Sequence, residues 1–255
     1  MVFSHQTLEI GGVKTHVYQA GSGKPLLWFH GAGGITGITP FFEGLAQRYQ
    51  VFLVDHPGWG RSERPEWLRD FTDYNYFYRD FLAYFGLARV NLVGNSLGGR
   101  IALEFAISHP QHVEKLVLLA PAGLHVDGVK RPDIFILTPE QRARVVFHDQ
   151  KFADALLARP LSDADHEIAA KNLATQARLS WERNYNPRFP RLLKYVAAPT
   201  RLIWGADDRM IPLAHGEEFA RHIPGAELHV IKDCGHLPQI EQRDECLRLV
   251  EQFIG

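Results

Sequence analysis

Short apolar runs alternate with longer amphipathic stretches along most of this 255-residue chain. Each run has the length of a buried strand and ends near glycine or proline, and the stretches between the runs carry apolar residues at helical spacing. In chain order the runs occupy residues 26–29, 51–55, 90–94, 115–120, 200–205 and 227–232. This alternation predicts an α/β fold, a mostly parallel sheet flanked by helices. Ahead of the first run, the alternating segment 7–19 has Gly11 and Gly12 at its centre, which predicts a β-hairpin.

One long segment interrupts this rhythm. Between Pro121 and Pro199 the strand pattern stops, and stretches such as 139–158 and 165–184 show helical spacing instead. We therefore predict a core formed by residues 1–122 and 199–255, with residues 123–198 as a helical cap. Ligands of open α/β sheets bind beyond the carboxyl ends of the strands, so we expect the cap to lie there.

The sequence Gly94-Asn95-Ser96-Leu97-Gly98 lies between a predicted strand and a predicted helix. It fits the pattern G-x-S-x-G, in which a sharp turn raises a serine hydroxyl above the sheet. Side chains two positions before and after the serine would collide in such a turn, which explains the glycines. The alternative is a serine that only caps the helix. We interpret Ser96 as a nucleophile.

A histidine and two aspartates follow the last two predicted strands. His236 comes after the final strand, on the same sheet edge as Ser96, and an imidazole can take the proton of a serine hydroxyl. Asp208 follows the preceding strand, where a buried carboxylate can orient the imidazole, and Asp207 competes for this role. Aspartates at this position can also be simple turn residues. The order Ser, Asp, His favours a catalytic triad.

A glycine-rich loop, His30-Gly31-Ala32-Gly33-Gly34, follows the strand at 26–29. Backbone N–H groups can stabilise the negative charge that acyl transfer places on a carbonyl oxygen. We predict that Leu97 supplies one such donor and that Ala32, or alternatively Gly33, supplies the other. The loop lacks both G-x-G-x-x-G and a G-K-[ST] ending, which argues against nucleotide binding. We expect His30 to be structural.

Together these segments resemble the α/β-hydrolase superfamily over the whole chain apart from the cap. The resemblance rests on residues 30–33, 55–62, 94–99, 205–208 and 235–236, with Pro212. It implies a serine hydrolase with a triad of Ser96, Asp208 and His236, because the family's acid is the last residue of a Gly-x-x-Asp loop. Branches that use an aspartate nucleophile differ from this chain at Ser96.

Within the superfamily, the segments 94–99 and 204–209 resemble hydrolases that cleave carbon–carbon bonds in ring-fission products of aromatic degradation. Those enzymes carry tryptophan where this chain has Leu237, and a cap arginine that meets the acidic end of the substrate has no assignable counterpart. We therefore expect a carboxylesterase that acts on small or medium apolar esters. The carbon–carbon hydrolase is the alternative, and a non-catalytic receptor for a small ligand is a further one.

Composition narrows the remaining possibilities. Lys and Arg number 28 against 29 Asp and Glu, so the chain has no overall field that attracts nucleic acid or an anionic membrane. The N-terminal segment lacks a signal-peptide pattern, and the chain has only two cysteines, so we expect a cytoplasmic protein. The sequence does not decide whether Cys234 and Cys246 form a disulfide. We expect a small carbonyl substrate and no metal or organic cofactor, and the oligomeric state is undetermined.

Overall fold

A computed structural model describes residues 2–255 of the chain. Its eight strands within this range form one sheet. The strands are β1 (Ser4–Ile10), β2 (Val13–Ala20), β3 (Lys24–Phe29), β4 (Tyr49–Val54), β5 (Val90–Asn95), β6 (Val113–Leu119), β7 (Thr200–Gly205) and β8 (Glu227–Ile231). Each predicted strand is present, to within a few residues at its ends.

Helices fill the connections between the strands. They are α1 (Pro40–Ala46), α2 (Asp73–Tyr84), α3 (Leu97–Ser108), α4 (Pro139–Val146), α5 (Gln150–Ala158), α6 (Asp163–Ser180), α7 (Phe189–Leu192), α8 (Ala214–His222), α9 (Pro238–Glu241) and α10 (Arg243–Ile254). Short 3₁₀ turns cover Pro110–His112 and Leu193–Tyr195. None of the helices within residues 2–255 combines the length and apolar character that crossing a bilayer requires.

The sheet has the order β1-β2-β4-β3-β5-β6-β7-β8. The first two strands form the predicted hairpin, in which Gly11 and Gly12 both have positive φ, as a tight two-residue turn requires. From β4 to β8 all neighbours are parallel, so the carboxyl ends of these strands share one edge. Ser96, Asp208 and His236 all follow strands at this edge.

The core lies on both faces of the sheet. Successive side chains of a strand point to opposite faces, and β3 shows this clearly. Leu27 and Phe29 join a cluster with residues of α2 and α3, whereas Leu26 and Trp28 join a second cluster with residues of α1 and α10. Because both faces are covered, the parallel strands are apolar almost throughout, which explains the continuous runs in the sequence.

Helices α4 to α7 occupy the predicted cap segment, whose boundaries stay a prediction. The stretch 139–158 is not one helix: it breaks after Val146 and resumes at Gln150. The break has a local cause, since the Asp149 side chain accepts a hydrogen bond from the Lys151 amide and caps the second helix. Helix α6 reaches down to the core, where Thr175 donates a hydrogen bond to the Gly58 carbonyl at 2.7 Å.

Both cysteines are free and buried. Cys234 and Cys246 therefore pack as small apolar side chains in the cluster beneath α10. The disulfide that the sequence left open does not form.

Candidate active site

Ser96 lies on the sharp turn between β5 and α3. Its backbone has φ 52° and ψ −118°, a conformation that costs energy for a residue with a side chain. The Ser96 amide donates to the Leu119 carbonyl at 2.9 Å, and the Ser96 carbonyl accepts from the Ala122 amide at 2.8 Å. These bonds hold the strained turn in place. The serine side chain makes no capping hydrogen bond to α3, so the alternative of a simple helix cap is wrong.

The glycines of the turn are required by close packing. A Cβ atom on Gly94 would lie 2.8 Å from the Gly98 carbonyl oxygen. A Cβ atom on Gly98 would lie 2.0 Å from the carbonyl oxygen of Phe29, at the end of β3. The turn is therefore packed against the neighbouring strand with no room for side chains at either position, as the sequence pattern indicates.

Asp208 and His236 are in direct contact. His236 Nδ1 lies 2.7 Å from Asp208 Oδ2, and both side chains are almost fully buried. The other carboxylate oxygen, Oδ1, accepts hydrogen bonds from the amides of Met210 and Ile211 at 2.9 and 2.8 Å. Three contacts thus fix the carboxylate, which in turn can fix the imidazole with Nδ1 as its donor and Nε2 free to act as a base.

The histidine is also fastened to the cap. Its backbone amide donates to the Val146 carbonyl, at the end of α4, over 2.7 Å. Within residues 2–255 no hydrogen bond joins the Ser96 hydroxyl to His236. The structure therefore brings together the candidate base and its orienting acid, and it places the candidate nucleophile on the same edge. Hydrogen bonds of this kind often form only when substrate is bound.

Asp207 has a different neighbour. Its Oδ2 lies 3.1 Å from His148 Nδ1, and the side chain is 43% exposed. The two adjacent aspartates therefore differ sharply, since Asp208 faces the buried histidine and Asp207 faces the cap. This geometry favours Asp208 as the orienting carboxylate.

The glycine-rich loop lies beside the nucleophile turn. A Cβ atom on Gly31 would lie 3.3 Å from Ser96 Cβ. The amides of Ala32 and Leu97, and also that of Gly33, donate no hydrogen bond within residues 2–255. Unused N–H groups next to the serine can accept an oxyanion as their partner. Ala32 and Leu97 remain our candidates for these donors, with Gly33 as the alternative to Ala32.

His30 links loops, in agreement with the structural role expected for it. Its Nδ1 contacts the Gly31 carbonyl at 2.7 Å, and its Nε2 accepts a hydrogen bond from the His56 amide at 3.1 Å. Burial lowers the pKa of His30 to about 4, so the ring is neutral at pH 7. A neutral ring can both donate and accept, and this is what the two contacts require.

Sequence reasoning missed Arg131, in the irregular segment ahead of α4. Burial lowers the pKa of Arg131, and the nearby Asp208 carboxylate opposes that effect. Its Nε is buried without a hydrogen-bond partner. Arg131 belongs to none of the ion pairs found within residues 2–255. No pattern could reveal it, since the segment around it has neither helical nor strand periodicity.

The chain is similar over nearly its full length to bacterial enzymes of known activity. It is 30% identical to a 2-hydroxy-6-oxononadienedioate/2-hydroxy-6-oxononatrienedioate hydrolase of Klebsiella pneumoniae, across 95% of this chain and 91% of that protein. It is 31% identical to a 2-hydroxy-6-oxo-6-phenylhexa-2,4-dienoate hydrolase of Comamonas testosteroni, across 94% of this chain and 90% of the relative.

Solved structures share the architecture. A membrane phospholipase A superposes with a TM-score of 0.82 at 25% identity, over 99% of this chain and 86% of that one. The 2-hydroxy-6-oxo-6-phenylhexa-2,4-dienoate hydrolase of Rhodococcus sp. strain RHA1 superposes with a TM-score of 0.81 at 21% identity, over 100% and 99% of the two chains. The model of the alpha/beta hydrolase family matches residues 26–249. With these matches added to the geometry of the site, the chain is a hydrolase that belongs to the alpha/beta hydrolase family.

Proposed function

We propose that this protein hydrolyses a carbon–carbon bond in an anionic ring-fission product, a 2-hydroxy-6-oxo-dienoate. The relatives at 30–31% identity support this choice, because their names describe hydrolases of such compounds. It reverses the order of our expectations, in which an apolar ester came first. The observation that carries the proposal is the unpaired Arg131 beside the candidate triad.

Arg131 is half-buried, and its buried Nε has no hydrogen-bond partner. A buried cationic N–H left unpaired is costly unless an anion neutralises it. The charge of Asp208 raises the pKa of Arg131, and the charge of Arg131 lowers the pKa of His215. Arg131 therefore lies near both residues. Burial is the main cause that lowers the pKa of His215, and the Arg131 charge acts in the same direction. A substrate carboxylate can supply the missing partner through charge-assisted hydrogen bonds. Arg131 can thus fill the role of the cap arginine that no sequence pattern identifies. The lack of an assignable arginine is one reason why the sequence favours an ester.

The proposed reaction adds water across a carbon–carbon bond. The dienol substrate first shifts a proton from its hydroxyl to carbon, which gives a diketone. Ser96, or a water molecule deprotonated by His236, then attacks the distal carbonyl, and the amides of Ala32 and Leu97 hold the resulting oxyanion. The carbon–carbon bond breaks, its electron pair leaves as an enolate, and His236 can return a proton. If Ser96 attacks, water releases the acyl group as a carboxylic acid.

A carboxylesterase is the second candidate. The triad alone supports ester cleavage equally well, and the similarity to a phospholipase A at 25% identity favours an ester. Leu237, which follows the candidate base, packs against the cap cluster of Ala143, Phe147 and Ala153 and brings no donor to the site. An ester requires only an acyl pocket and oxyanion donors, whereas the ring-fission product requires a cation in addition.

The test compares the two substrate classes on one enzyme preparation. We expect a higher kcat/KM for a 2-hydroxy-6-oxo-dienoate than for a neutral aryl ester. Arg131→Gln should lower kcat/KM for the dienoate by about 10- to 100-fold, the value of one charge-assisted contact, and should affect the ester much less. Arg178→Gln, at an exposed position in the same cap, is the matched control and should change neither.

Two results would contradict the proposal. A clear preference of the parent enzyme for the aryl ester would return the esterase to first place. Equal losses on both substrates in Arg131→Gln would show that Arg131 supports the site in general and does not bind the substrate anion.

A further inference from the structure

His148, Asp207 and Asp233 meet on the outer side of the candidate base. His148 lies in the break between α4 and α5, Asp207 precedes the candidate acid, and Asp233 follows β8. One ligand atom from each lies within 4.8 Å of the other two. His148 and Asp233 line a cleft of about 470 Å³ together with Glu241. The cluster thus joins one cap residue to the two loops that carry Asp208 and His236.

The contact between His148 and Asp207 calls for a positive charge. Nδ1 of His148 is buried and has no hydrogen-bond partner, although Asp207 Oδ2 lies only 3.1 Å away. A neutral ring nitrogen with its lone pair towards a carboxylate is repelled by it. A protonated His148 ring would form an ion pair with Asp207, whose side chain is 43% exposed. A cation to the side of the line between the two atoms satisfies both atoms.

The neighbouring charged groups leave the cluster negative. Lys151 also lines the cleft, but its Nζ lies 2.6 Å from Asp149. Glu241 is engaged as well, because its two oxygens accept the amides of Asp149 and Gly235. Within residues 2–255 no lysine or arginine forms an ion pair with Asp207 or Asp233. A protonated His148 is therefore the one cationic group within residues 2–255 that pairs with either carboxylate.

From this arrangement we propose that His148, Asp207 and Asp233 bind a divalent transition-metal ion, with zinc as the best fit. One imidazole nitrogen and two carboxylate oxygens are ordinary zinc ligands, and water can complete a tetrahedron. Bonds of about 2.0 Å place tetrahedral donors about 3.3 Å apart, so the donors must approach one another by up to about 1.5 Å. The Asp207 side chain is 43% exposed and Asp233 is exposed, so both can do this by rotation.

Such an ion fastens the cap to the catalytic edge of the sheet. Asp207 is bonded to the histidine loop already, since its amide donates to the Cys234 carbonyl at 2.9 Å. The metal adds a link from this pair of loops to the α4–α5 break. Its role is to hold the cap and the two loops in register, outside the reaction itself.

The experiment titrates ZnCl₂ into the purified full chain, stripped with EDTA and dialysed, by isothermal titration calorimetry at pH 7.5. We expect one zinc ion per chain in the parent. His148→Gln and Asp233→Asn should each weaken this binding at least about tenfold, because each removes a direct ligand. His166→Gln, an exposed histidine on α6, is the matched control and should bind as the parent does.

Two further readouts separate metal binding from a failure to fold. All variants should unfold at similar temperatures in EDTA, and zinc should raise the Tm of the parent and of His166→Gln only. Crystals soaked in zinc should show an anomalous peak between His148 and the two aspartates. Absence of zinc binding in the parent, unchanged affinity in His148→Gln and Asp233→Asn, or an anomalous peak at His236 instead would each overturn the proposal.

Discussion

Ser96 combines a strained backbone with a side chain that no structural hydrogen bond requires. We expect Ser96→Ala to lower kcat at least about 10³-fold, because the nucleophile and its activation are lost together. The fold should remain, since the turn is held by backbone bonds to Leu119 and Ala122. Turnover assays and thermal unfolding of the same preparation check both parts.

An organophosphonate provides the complementary measurement. It should attach to Ser96 in the parent and should leave Ser96→Ala unlabelled, as peptide mass spectrometry can show. A label on any other residue would reject Ser96 as the nucleophile.

The two adjacent aspartates give a sharper comparison at the same scale. Asp208→Asn should lower kcat by about 10⁴-fold, as in the worked serine-protease case, because an amide favours the wrong imidazole tautomer. Asp207→Asn should cost much less, since that side chain points towards His148. Steady-state kinetics of both variants decide the matter, and an equal or larger loss at Asp207 would contradict the assignment of Asp208.

Among the elements, the turn from β5 to α3 depends most on its exact packing. Gly98→Ala would place a methyl group 2.0 Å from the Phe29 carbonyl oxygen, so the turn and β3 must separate. We expect a loss of about 3 kcal/mol or more in the free energy of unfolding. Gly33→Ala is the matched control, because a Cβ there meets nothing within 4 Å, and it should change stability by less than about 1 kcal/mol. Denaturant titration measures both, and a small effect at Gly98 would contradict the packing described.

Most elements could be predicted from sequence because their signals are local. The strands are buried on both faces and read as apolar runs, and Gly11 and Gly12 identify the hairpin without any distant contact. The break between α4 and α5 was missed because helical spacing continues across residues 147–149. A cap at Asp149 decides the break, but an aspartate can also lie within an exposed helix, so the residue alone does not identify the break.

For the molecule as a whole, Asp55 links stability to pH. Its side chain is buried after β4, and burial raises its pKa to about 6, although the Arg61 amide and the charges of Arg61 and Lys171 act against this. The folded state therefore binds this proton more tightly than the unfolded chain does. The stabilisation is complete below about pH 4 and is lost as the pH rises through about 6, for a change of about 3 kcal/mol.

Asp55→Asn tests this linkage, because the amide stays neutral at every pH. The stability of the parent relative to this variant should fall by about 2 kcal/mol between pH 4 and pH 7. Asp127→Asn, at a fully exposed position, should show no such trend relative to the parent. A constant difference between the parent and Asp55→Asn would mean that the carboxyl is not perturbed.

The candidate site divides into a part that sequence predicts and a part that it does not. Ser96, Asp208 and His236 each follow a strand, so parallel topology alone brings them to one edge. Arg131 and His148 reach the same region from the cap, through irregular segments whose path depends on tertiary packing. In the proposed function, the choice between ester and carbon–carbon cleavage depends on Arg131, which no sequence pattern identifies, and this is why the sequence favoured the simpler substrate.

The bond from the His236 amide to the Val146 carbonyl ties the loop that carries the candidate base to the end of α4. A displacement of the end of α4 would therefore remove one anchor of the backbone that carries the imidazole.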